Sequence, residues 1–397
     1  MLDDVDLLVC GAGPAGCVIA ERAANVLGWK VLMVDKRPHL AGNCYDSRHA
    51  NGVLIHNYGP HYFRTNEPGL LDYLSRFTDW IPGNYEVKSL VRGRLFPFPI
   101  NLTTLEQFFN RRLDAESAER LLAACRLAVD KPRNSEEFVL SRVGRELYEA
   151  FYLNYTLKQW DIHPRYLEPT VCGRIPIRLN RDHRYVDHRF QVMPKRGFTA
   201  MFARMVKHPR IRILLDCAFQ EVRHLVRPRR ATVYTGPIDE YFGCRLGTLP
   251  YRSLNFDMVP YATEYRQPCV QINYPNDYSF TRTVEIKHVT AQKHPETVLS
   301  YETPAATGEP YYPVPVPRNS ALYQRYKVLA DEETRCRRVY FCGRLAQYRY
   351  FNTDEVLVEA LRCFDRLRQA WFDGTAPEPP ASATAAKEVL TRVLKTN

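Results

Sequence analysis

The chain has 397 residues, of which 45% are hydrophobic and 25% are charged, an ordinary composition for a soluble globular protein. This length predicts two or three domains. The 55 Lys and Arg residues outnumber the 44 Asp and Glu residues by 55 − 44 = 11, which is compatible with nucleic acid, an anionic surface or an anionic small substrate. Because the basic residues are mostly scattered arginines without a dense tract, we expect no nucleic-acid partner, and the planar guanidinium favours a diphosphate.

Sequence features also argue against a membrane-spanning or secreted protein and against a protein stabilised by disulfides or zinc. No run of eighteen apolar residues occurs and the N-terminal residues are acidic, so we expect neither a membrane span nor a secretory signal. The eleven cysteines include no CxxC pair and are odd in number. This pattern predicts reduced thiols in a cytoplasmic protein and no metal site, rather than a disulfide framework or a zinc centre.

Residues 5–46 carry the most informative motif, an apolar strand, a glycine pattern, a helix and a second strand that ends in an acid. In a dinucleotide-binding fold Gly11 makes the tight turn, Gly13 lets the backbone approach a pyrophosphate and Gly16 packs the helix on the strand. Asp35 can accept a hydrogen bond from a ribose hydroxyl. The amide groups and dipole of the helix N-terminus favour the phosphates.

The segment after the acid favours flavin over nicotinamide. Lys36 follows Asp35 directly, and Gly42 and Asn43 come shortly after. Another glycine here lets the backbone lie close to a bound cofactor. We therefore predict FAD.

The rest of the chain predicts an α/β fold, in which a Rossmann-like FAD-binding domain carries an inserted helical domain and an antiparallel β-sheet domain. Helical spacing of apolar residues runs from about Glu67 to Arg145, and short β-branched and aromatic runs alternate with turns from Leu249 to Thr303. The predicted boundaries are 1–75 for the first part of the FAD-binding domain, 76–172 for the helical domain, 173–195 and 240–318 for the antiparallel sheet, 196–239 and 319–372 for the rest of the FAD-binding domain, and 373–397 for a flexible tail.

Three motif clusters stand out, at Tyr58–Thr65, Phe151–Trp160 and Gly343–Asn352. With Arg174 and Arg282 they resemble the UDP-galactopyranose mutase family, and the resemblance covers about residues 5–368. It implies a redox-neutral isomerase that interconverts UDP-galactopyranose and UDP-galactofuranose in cell-surface glycan biosynthesis. It also implies reduced FAD as the active cofactor, primed by NAD(P)H or another reductant, a covalent bond between flavin N5 and the sugar, and a homo-oligomer, a dimer or larger.

The resemblance also implies roles for individual residues. It places Arg174 and Arg282 at the departing diphosphate and His61 beside the flavin, where it helps set the electronic state of the ring. The other implied substrate residues are Phe151, Tyr155, Trp160, Tyr185, Tyr312, Tyr350, Asn352 and Arg64, and the other implied flavin residues are Gly343, Arg344 and, on a weaker match, Arg252. Trp160 and Phe151 are equally the kind of large aromatic residue that forms a core.

One departure from the family pattern concerns substrate choice. Where most members have a histidine two positions after Tyr62, this chain has Arg64, which resembles relatives that accept a 2-acetamido sugar. UDP-N-acetylgalactosamine is therefore a further expected substrate, and Tyr85 stands where relatives carry smaller polar residues. Two rivals stay open: an FAD-dependent oxidoreductase of the amine-oxidase type, and a basic module that binds nucleic acid or an anionic surface.

Overall fold

Seventeen strands and thirteen helices are found in residues 4–372, the part of the chain that the computed structural model describes. The predicted tail at 373–397 lies outside the described residues. The strands are β1 (Leu7–Cys10), β2 (Val31–Val34), β3 (Asp46–Arg48), β4 (Leu54–His56), β5 (Phe63–Thr65), β6 (Trp80–Pro82), β7 (Val87–Val91), β8 (Arg94–Phe98), β9 (Phe190–Pro194), β10 (Ile211–Leu214), β11 (Ala231–Tyr234), β12 (Tyr251–Tyr261), β13 (Gln271–Asn273), β14 (Arg282–Val284), β15 (Thr297–Ala305), β16 (Tyr312–Pro313) and β17 (Val339–Phe341).

The helices are α1 (Pro14–Val26), α2 (Pro68–Ser75), α3 (Leu102–Phe109), α4 (Ala115–Cys125), α5 (Ser135–Tyr148), α6 (Asn154–Trp160), α7 (Thr170–Gly173), α8 (Phe198–Met205), α9 (Phe219–Val222), α10 (Ile238–Tyr241), α11 (Lys287–Thr290), α12 (Pro317–Arg337) and α13 (Thr353–Phe372). A π-helical turn at Glu149–Leu153 joins α5 to α6. Among the described residues, no helix is both long and apolar enough to cross a lipid bilayer.

A parallel five-stranded sheet of order β10-β2-β1-β11-β17 forms the Rossmann-like domain. Strands β1 and β2 are buried throughout, as expected for a sheet that is covered on both faces. Helices α1 and α13 pack against each other beside this sheet. The predicted Rossmann-like fold is confirmed: β10 pairs with β2, β11 pairs with β1, and β17 pairs with β11. Strands from late in the chain therefore complete the sheet that β1 and β2 begin.

The predicted antiparallel sheet is also confirmed, and it has seven strands in the order β16-β12-β15-β14-β13-β7-β8. Only the β13–β7 pair is parallel. Small antiparallel sheets, β3-β4 and β5-β9-β6, connect this layer to the Rossmann-like domain. The sheets thereby bring residues from distant parts of the sequence to one place.

The predicted helical pattern from Glu67 to Arg145 is wrong for residues 80–96, which belong to β6, β7 and β8 and the turns between them. In β7, Val87, Ser89 and Val91 are buried while Lys88 and Leu90 are partly exposed, which is the two-residue alternation of a strand. This short alternation was hidden between the stronger helical patterns on either side. Helices α3 to α7 form the helical insertion from residue 102 onwards, and the domain boundaries themselves stay a prediction.

Candidate active site

A cavity of about 1220 Å³, including its mouth, opens at the carboxyl ends of β1, β2 and β11. This edge of a parallel sheet is where doubly wound folds bind ligands. Gly11 follows β1 with φ +111°, a conformation that favours glycine, and a Cβ there would overlap Thr235 Oγ1. A Cβ on Gly16 would overlap the Gly11 carbonyl oxygen, so Gly16 permits the close packing of α1 on the turn.

Asp35 fixes the glycine loop. Its Oδ2 accepts a hydrogen bond from the Ala12 amide at 2.7 Å, and its Oδ1 accepts from the Arg37 amide at 2.9 Å. Gly13 and Gly42 approach so closely that a Cβ on Gly42 would lie 2.9 Å from Gly13 Cα. Two backbone segments thus line the cavity without side chains, which suits a cofactor whose phosphates contact amide groups.

Charged residues stand at one side of the cavity mouth. Glu309 accepts from Lys36 Nζ at 3.0 Å and from Arg37 Nη2 at 3.3 Å. Arg37 also donates to Asn43 Oδ1 at 2.8 Å and lies over the ring of Tyr58. Lys36, which sequence predicts as a cofactor ligand, lines the cavity but is paired with a carboxylate.

A second cavity of about 970 Å³ adjoins the first. Asn43, His61, Arg344 and Thr353 line both cavities and therefore mark their junction. Arg344 is held at this junction by the Phe351 carbonyl, which accepts from its Nη2 at 2.6 Å, and by the Tyr311 carbonyl, which accepts from Nη1 at 3.2 Å. A ligand in one cavity can therefore touch a ligand in the other.

Arginines make the second cavity strongly cationic. Arg282 on β14 donates to Glu302 Oε2 at 2.6 Å, and this carboxylate on β15 is fully buried. The guanidinium of Arg174 lies 3.7 Å from the centre of the Tyr350 ring. Glu302 compensates only one of the arginines around this cavity, so the site is suited to a ligand with two negative charges, such as a diphosphate.

Tyr350 reports this cationic environment. Burial alone would raise the pKa of Tyr350, but the charges of Arg174 and Arg344 outweigh it and lower the pKa to about 8. The ring of Tyr350 stacks on Tyr312, with centroids 5.1 Å apart and planes within 7°. Both phenols line the cavity and can donate to phosphate oxygens.

His61 is the titratable residue at the junction. Burial, with help from neighbouring His56 and Arg344, lowers the pKa of His61 to about 3, so the imidazole is neutral at physiological pH. Its Nδ1 lies 2.9 Å from the Gly59 carbonyl oxygen. Since a carbonyl only accepts, Nδ1 carries the proton and Nε2 is left as an acceptor.

The wall around Arg64 is built of polar and aromatic groups. Arg64 donates to Asn352 Oδ1 at 2.7 Å and to the Tyr62 hydroxyl at 3.2 Å. Tyr62 stacks on Tyr85 at 4.3 Å, and the Tyr85 hydroxyl donates to Gln271 Oε1 at 2.8 Å. All five side chains line the second cavity, and its shape on this side therefore depends on all of them.

Most of the sequence-predicted residues meet at these two cavities. Lining the first are Gly11, Gly13, Asp35, Lys36, Gly42, Asn43, His61, Gly343 and Arg344. Lining the second are Arg64, Arg174, Tyr185, Arg282, Tyr312, Tyr350 and Asn352, together with His61 and Arg344. Their roles stay predictions, but their convergence from distant parts of the sequence is a structural fact.

Five predicted residues line neither cavity, and one of them, Gly16, packs α1 closely on the turn. Phe151 is buried in the helical core against Phe98, and Trp160 packs behind Tyr312 and Tyr350. Tyr155 is partly buried and close enough to Arg282 for that charge to counter the rise in its pKa that burial causes. Arg252 donates to the Gln159 carbonyl at 3.1 Å and lines neither cavity.

Sequence reasoning missed several lining residues and one buried partner. Glu302 was detectable as the single acid in an otherwise apolar or hydroxyl-bearing strand, where a buried carboxylate requires a cation. Tyr62 and Tyr311 lie in motifs that carry the family resemblance but were given no role of their own. Gln271 gave no signal because polar residues are common in sheets, and it reaches the cavity through the pairing of β13 with β7 and β14.

Comparison with known proteins identifies the family. A family model described as UDP-galactopyranose mutase matches residues 150–350, and one described as an NAD(P)-binding Rossmann-like domain matches 9–77. A probable UDP-galactopyranose mutase of Klebsiella pneumoniae is 35% identical over 92% of this chain and 95% of its own length. The chain belongs to the UDP-galactopyranose mutase family. It is thus a sugar-nucleotide mutase, an isomerase, with a flavin cofactor.

Other similar proteins also match nearly the whole chain. The dTDP-fucopyranose mutase of Escherichia coli is 32% identical over 90% of this chain and 97% of its own. A crystal structure of reduced UDP-galactopyranose mutase covers 98% of both chains with a TM-score of 0.67 at 16% identity, which supports the fold. The similarity thus covers the residues of both cavities, and the names of these two relatives refer to different nucleotide sugars.

Proposed function

We propose that this family member interconverts UDP-galactopyranose and UDP-galactofuranose without net redox change, using reduced FAD. The observation that carries the proposal is the junction at His61, Asn43 and Arg344, where the dinucleotide cavity meets the cationic cavity. The first cavity suits FAD because glycine backbone, the α1 N-terminus and Asp35 line it. The second suits a UDP-sugar because arginines and phenols surround it.

In this proposal Arg174 and Arg282 bind the diphosphate and stabilise the negative charge that grows as UDP leaves the anomeric carbon. Cations fixed in a site from which water is excluded lower such a barrier more than they would in water. Glu302 holds the Arg282 guanidinium in place through its bond to Nε. Tyr185, Tyr312 and Tyr350 are positioned to donate from the same walls.

When bound and reduced, the flavin supplies N5 as a nucleophile for the anomeric carbon, so the chain needs no nucleophile of its own. The protein orients the sugar at the junction and excludes water there. Neutral His61 offers an acceptor nitrogen beside the flavin and adds no positive charge. Arg344, fixed by two backbone carbonyls, brings a positive charge to the same place.

The test is incubation of dithionite-reduced protein with UDP-galactofuranose, followed by chromatographic separation of the nucleotide sugars. We expect UDP-galactopyranose to form with no net consumption of NADPH or oxygen, and the oxidised protein to be inactive. An FAD-dependent oxidoreductase would instead consume an electron acceptor with each turnover. A nucleic-acid module would show salt-sensitive affinity for DNA or RNA and no tight binding of UDP.

A second substrate, UDP-N-acetylgalactosamine, is favoured by the wall around Arg64. Arg64 lines the cavity with its guanidinium, and an N-acetyl carbonyl is an acceptor that guanidinium N–H groups can bind. Parallel assays of UDP-galactose, UDP-N-acetylgalactosamine and dTDP-fucose would measure the sugar range. Turnover of galactose with no turnover of the acetamido sugar would reject this second substrate.

We further propose that NAD(P)H primes the flavin and that the protein is a cytoplasmic homo-oligomer. All eleven cysteines lie within residues 4–372 and are unpaired, which supports a reducing compartment. Flavin reduction under anaerobic conditions, followed by its absorbance, tests NADH against NADPH. Light scattering after size-exclusion chromatography measures the assembly, and a monomeric mass would contradict the oligomer.

A further inference from the structure

His56 lies next to His61 and lines neither of the two cavities described above. It is the last residue of β4, its side chain is buried, and its Nδ1 accepts a hydrogen bond from the His61 backbone amide at 3.0 Å. Because Nδ1 is the acceptor, the proton of this neutral imidazole is on Nε2. The two rings are 6.4 Å apart, and Phe198 packs with its edge against both.

Asp46 stands behind His56 and is itself firmly anchored. Asp46 on β3 pairs with His56 across the two-stranded sheet, and its Oδ2 lies 4.0 Å from His56 Nε2. The amides of Phe198 and Thr199, the first residues of α8, donate to the Asp46 carboxylate at 2.5 and 3.0 Å. A helix N-terminus thus holds the carboxylate, and the carboxylate faces the protonated nitrogen of His56.

The buried environment favours His56 as an uncharged hydrogen-bond acceptor over a charged imidazolium. Burial lowers the pKa of His56 to about 3, so the imidazole is neutral, and burial raises the pKa of Asp46 against the opposing hydrogen bonds of Thr199 and Phe198. A neutral imidazole can accept from the His61 amide, whereas an imidazolium cannot. The contact therefore depends on His56 staying unprotonated.

We propose that His56, whose Nε2 lies 4.0 Å from the Asp46 carboxylate, is a positioning residue that holds the His61 loop against the flavin. The His61 backbone is tied to His56, and the His61 ring is tied to Gly59, so both ends of the residue are fixed. Loss of the His56 acceptor frees the backbone amide and lets the ring leave the junction. The proposal rests on His61 facing the flavin, as under the proposed function.

The test compares two variants with the wild type. His56→Leu keeps an apolar side chain of similar size but has no acceptor, whereas His56→Asn keeps an oxygen that can accept from the His61 amide. We measure bound FAD, the midpoint potential of the flavin and kcat for nucleotide-sugar interconversion. We expect His56→Leu to retain FAD, to shift the potential and to lower kcat roughly 10- to 100-fold, as for a misplaced catalytic group.

His56→Asn should restore the potential and most of kcat. The matched control is His288→Leu. His288 is a half-buried histidine that contacts a buried carboxylate, Glu285, and neither residue lines either cavity. This variant should leave the potential and kcat unchanged. A wild-type potential and kcat in His56→Leu would overturn the proposal.

Should His56→Leu fail to fold, His56→Asn alone decides. If the flavin potential and kcat of His56→Asn are close to wild type, they support the proposal. If they are as impaired as those of His61→Ala, they overturn it. The midpoint potential of the flavin distinguishes failure of this proposal from failure of the proposed function. If the wild type binds FAD but converts no UDP-sugar, a shifted potential in His56→Leu still supports the positioning role.

Discussion

Arg174 shows how a single side chain can be tested against the proposed function. It follows the short helix α7 and lies over the Tyr350 ring, with its charge in the second cavity. We expect Arg174→Ala to bind FAD normally but to lower kcat by roughly 10²- to 10³-fold, the usual effect of removing one preorganised donor. The measurements are flavin absorbance and product separation.

Arg181→Ala is the control for that variant, because Arg181 is an exposed arginine that pairs with Glu106. It should retain wild-type turnover. Unchanged turnover in Arg174→Ala would remove Arg174 from the proposed mechanism.

Tyr350 gives a pH prediction. Its pKa of about 8 means that the phenol is largely neutral at pH 7 and becomes a phenolate above pH 8. A phenolate cannot donate to phosphate and repels it, so the affinity for UDP should fall as pH rises through about 8, by roughly tenfold at most per pH unit. Titration calorimetry from pH 6.5 to 9.5 measures this, and Tyr350→Phe should flatten the profile above pH 8. An equally steep fall in Tyr350→Phe would contradict this origin.

At the scale of the element, the close packing of the turn between β1 and α1 leads to a prediction about FAD affinity. A Cβ on Gly16 would overlap the Gly11 carbonyl oxygen, so Gly16→Ala must push α1 away from the turn. Overpacking of this kind costs about 1–3 kcal/mol. If this cost falls on the FAD-bound form, FAD affinity should decrease roughly 5- to 150-fold, as measured by fluorescence titration of the apoprotein.

Gly69→Ala is the matched control, because Gly69 lies in α2 and a Cβ there meets no atom within 4 Å. It should leave FAD affinity unchanged. Equal FAD affinity in Gly16→Ala and Gly69→Ala would show that the turn does not set the cofactor site.

The elements also show how far sequence predicts structure. The β1-α1-β2 unit was predictable because its glycines and Asp35 act on near neighbours, and the fold class followed from it. Strands β6 to β8 were not predictable, because each has only three to five residues and β6 and β7 pair with β9 and β13, far along the chain. Propensity over three to five residues is weaker than such tertiary pairing.

In the candidate site, residues in local motifs were likewise predictable, whereas residues placed by strand pairing were not. Arg174, Arg282 and Tyr350 were predicted through motif resemblance, and the structure brings them to one cavity. The Glu302 partner of Arg282 and the Tyr85–Gln271 contact depend on strand register, which no local pattern encodes. Phe151 matches a motif but packs in the core, since a large aromatic residue serves either purpose.

At the scale of the whole molecule, the two sheets place two cavities side by side. The Rossmann-like sheet supplies the dinucleotide cavity, and the seven-stranded sheet contributes Arg282, Gln271 and Tyr312 to the cationic cavity. Segments after β2, β4 and β17 bring Asn43, His61 and Arg344 to the boundary between them. Under the proposed function, this arrangement lets one chain hold a flavin and a nucleotide sugar in contact.

The most direct test of that contact replaces FAD with 5-deaza-FAD, which has carbon in place of N5. The analogue keeps the adenosine diphosphate that the first cavity is proposed to bind, so we expect both cofactors to bind with similar affinity. With both in the reduced state, we predict that the FAD form interconverts UDP-galactofuranose and UDP-galactopyranose and that the 5-deaza-FAD form does not. Interconversion at an equal rate with 5-deaza-FAD would contradict the proposed role of N5.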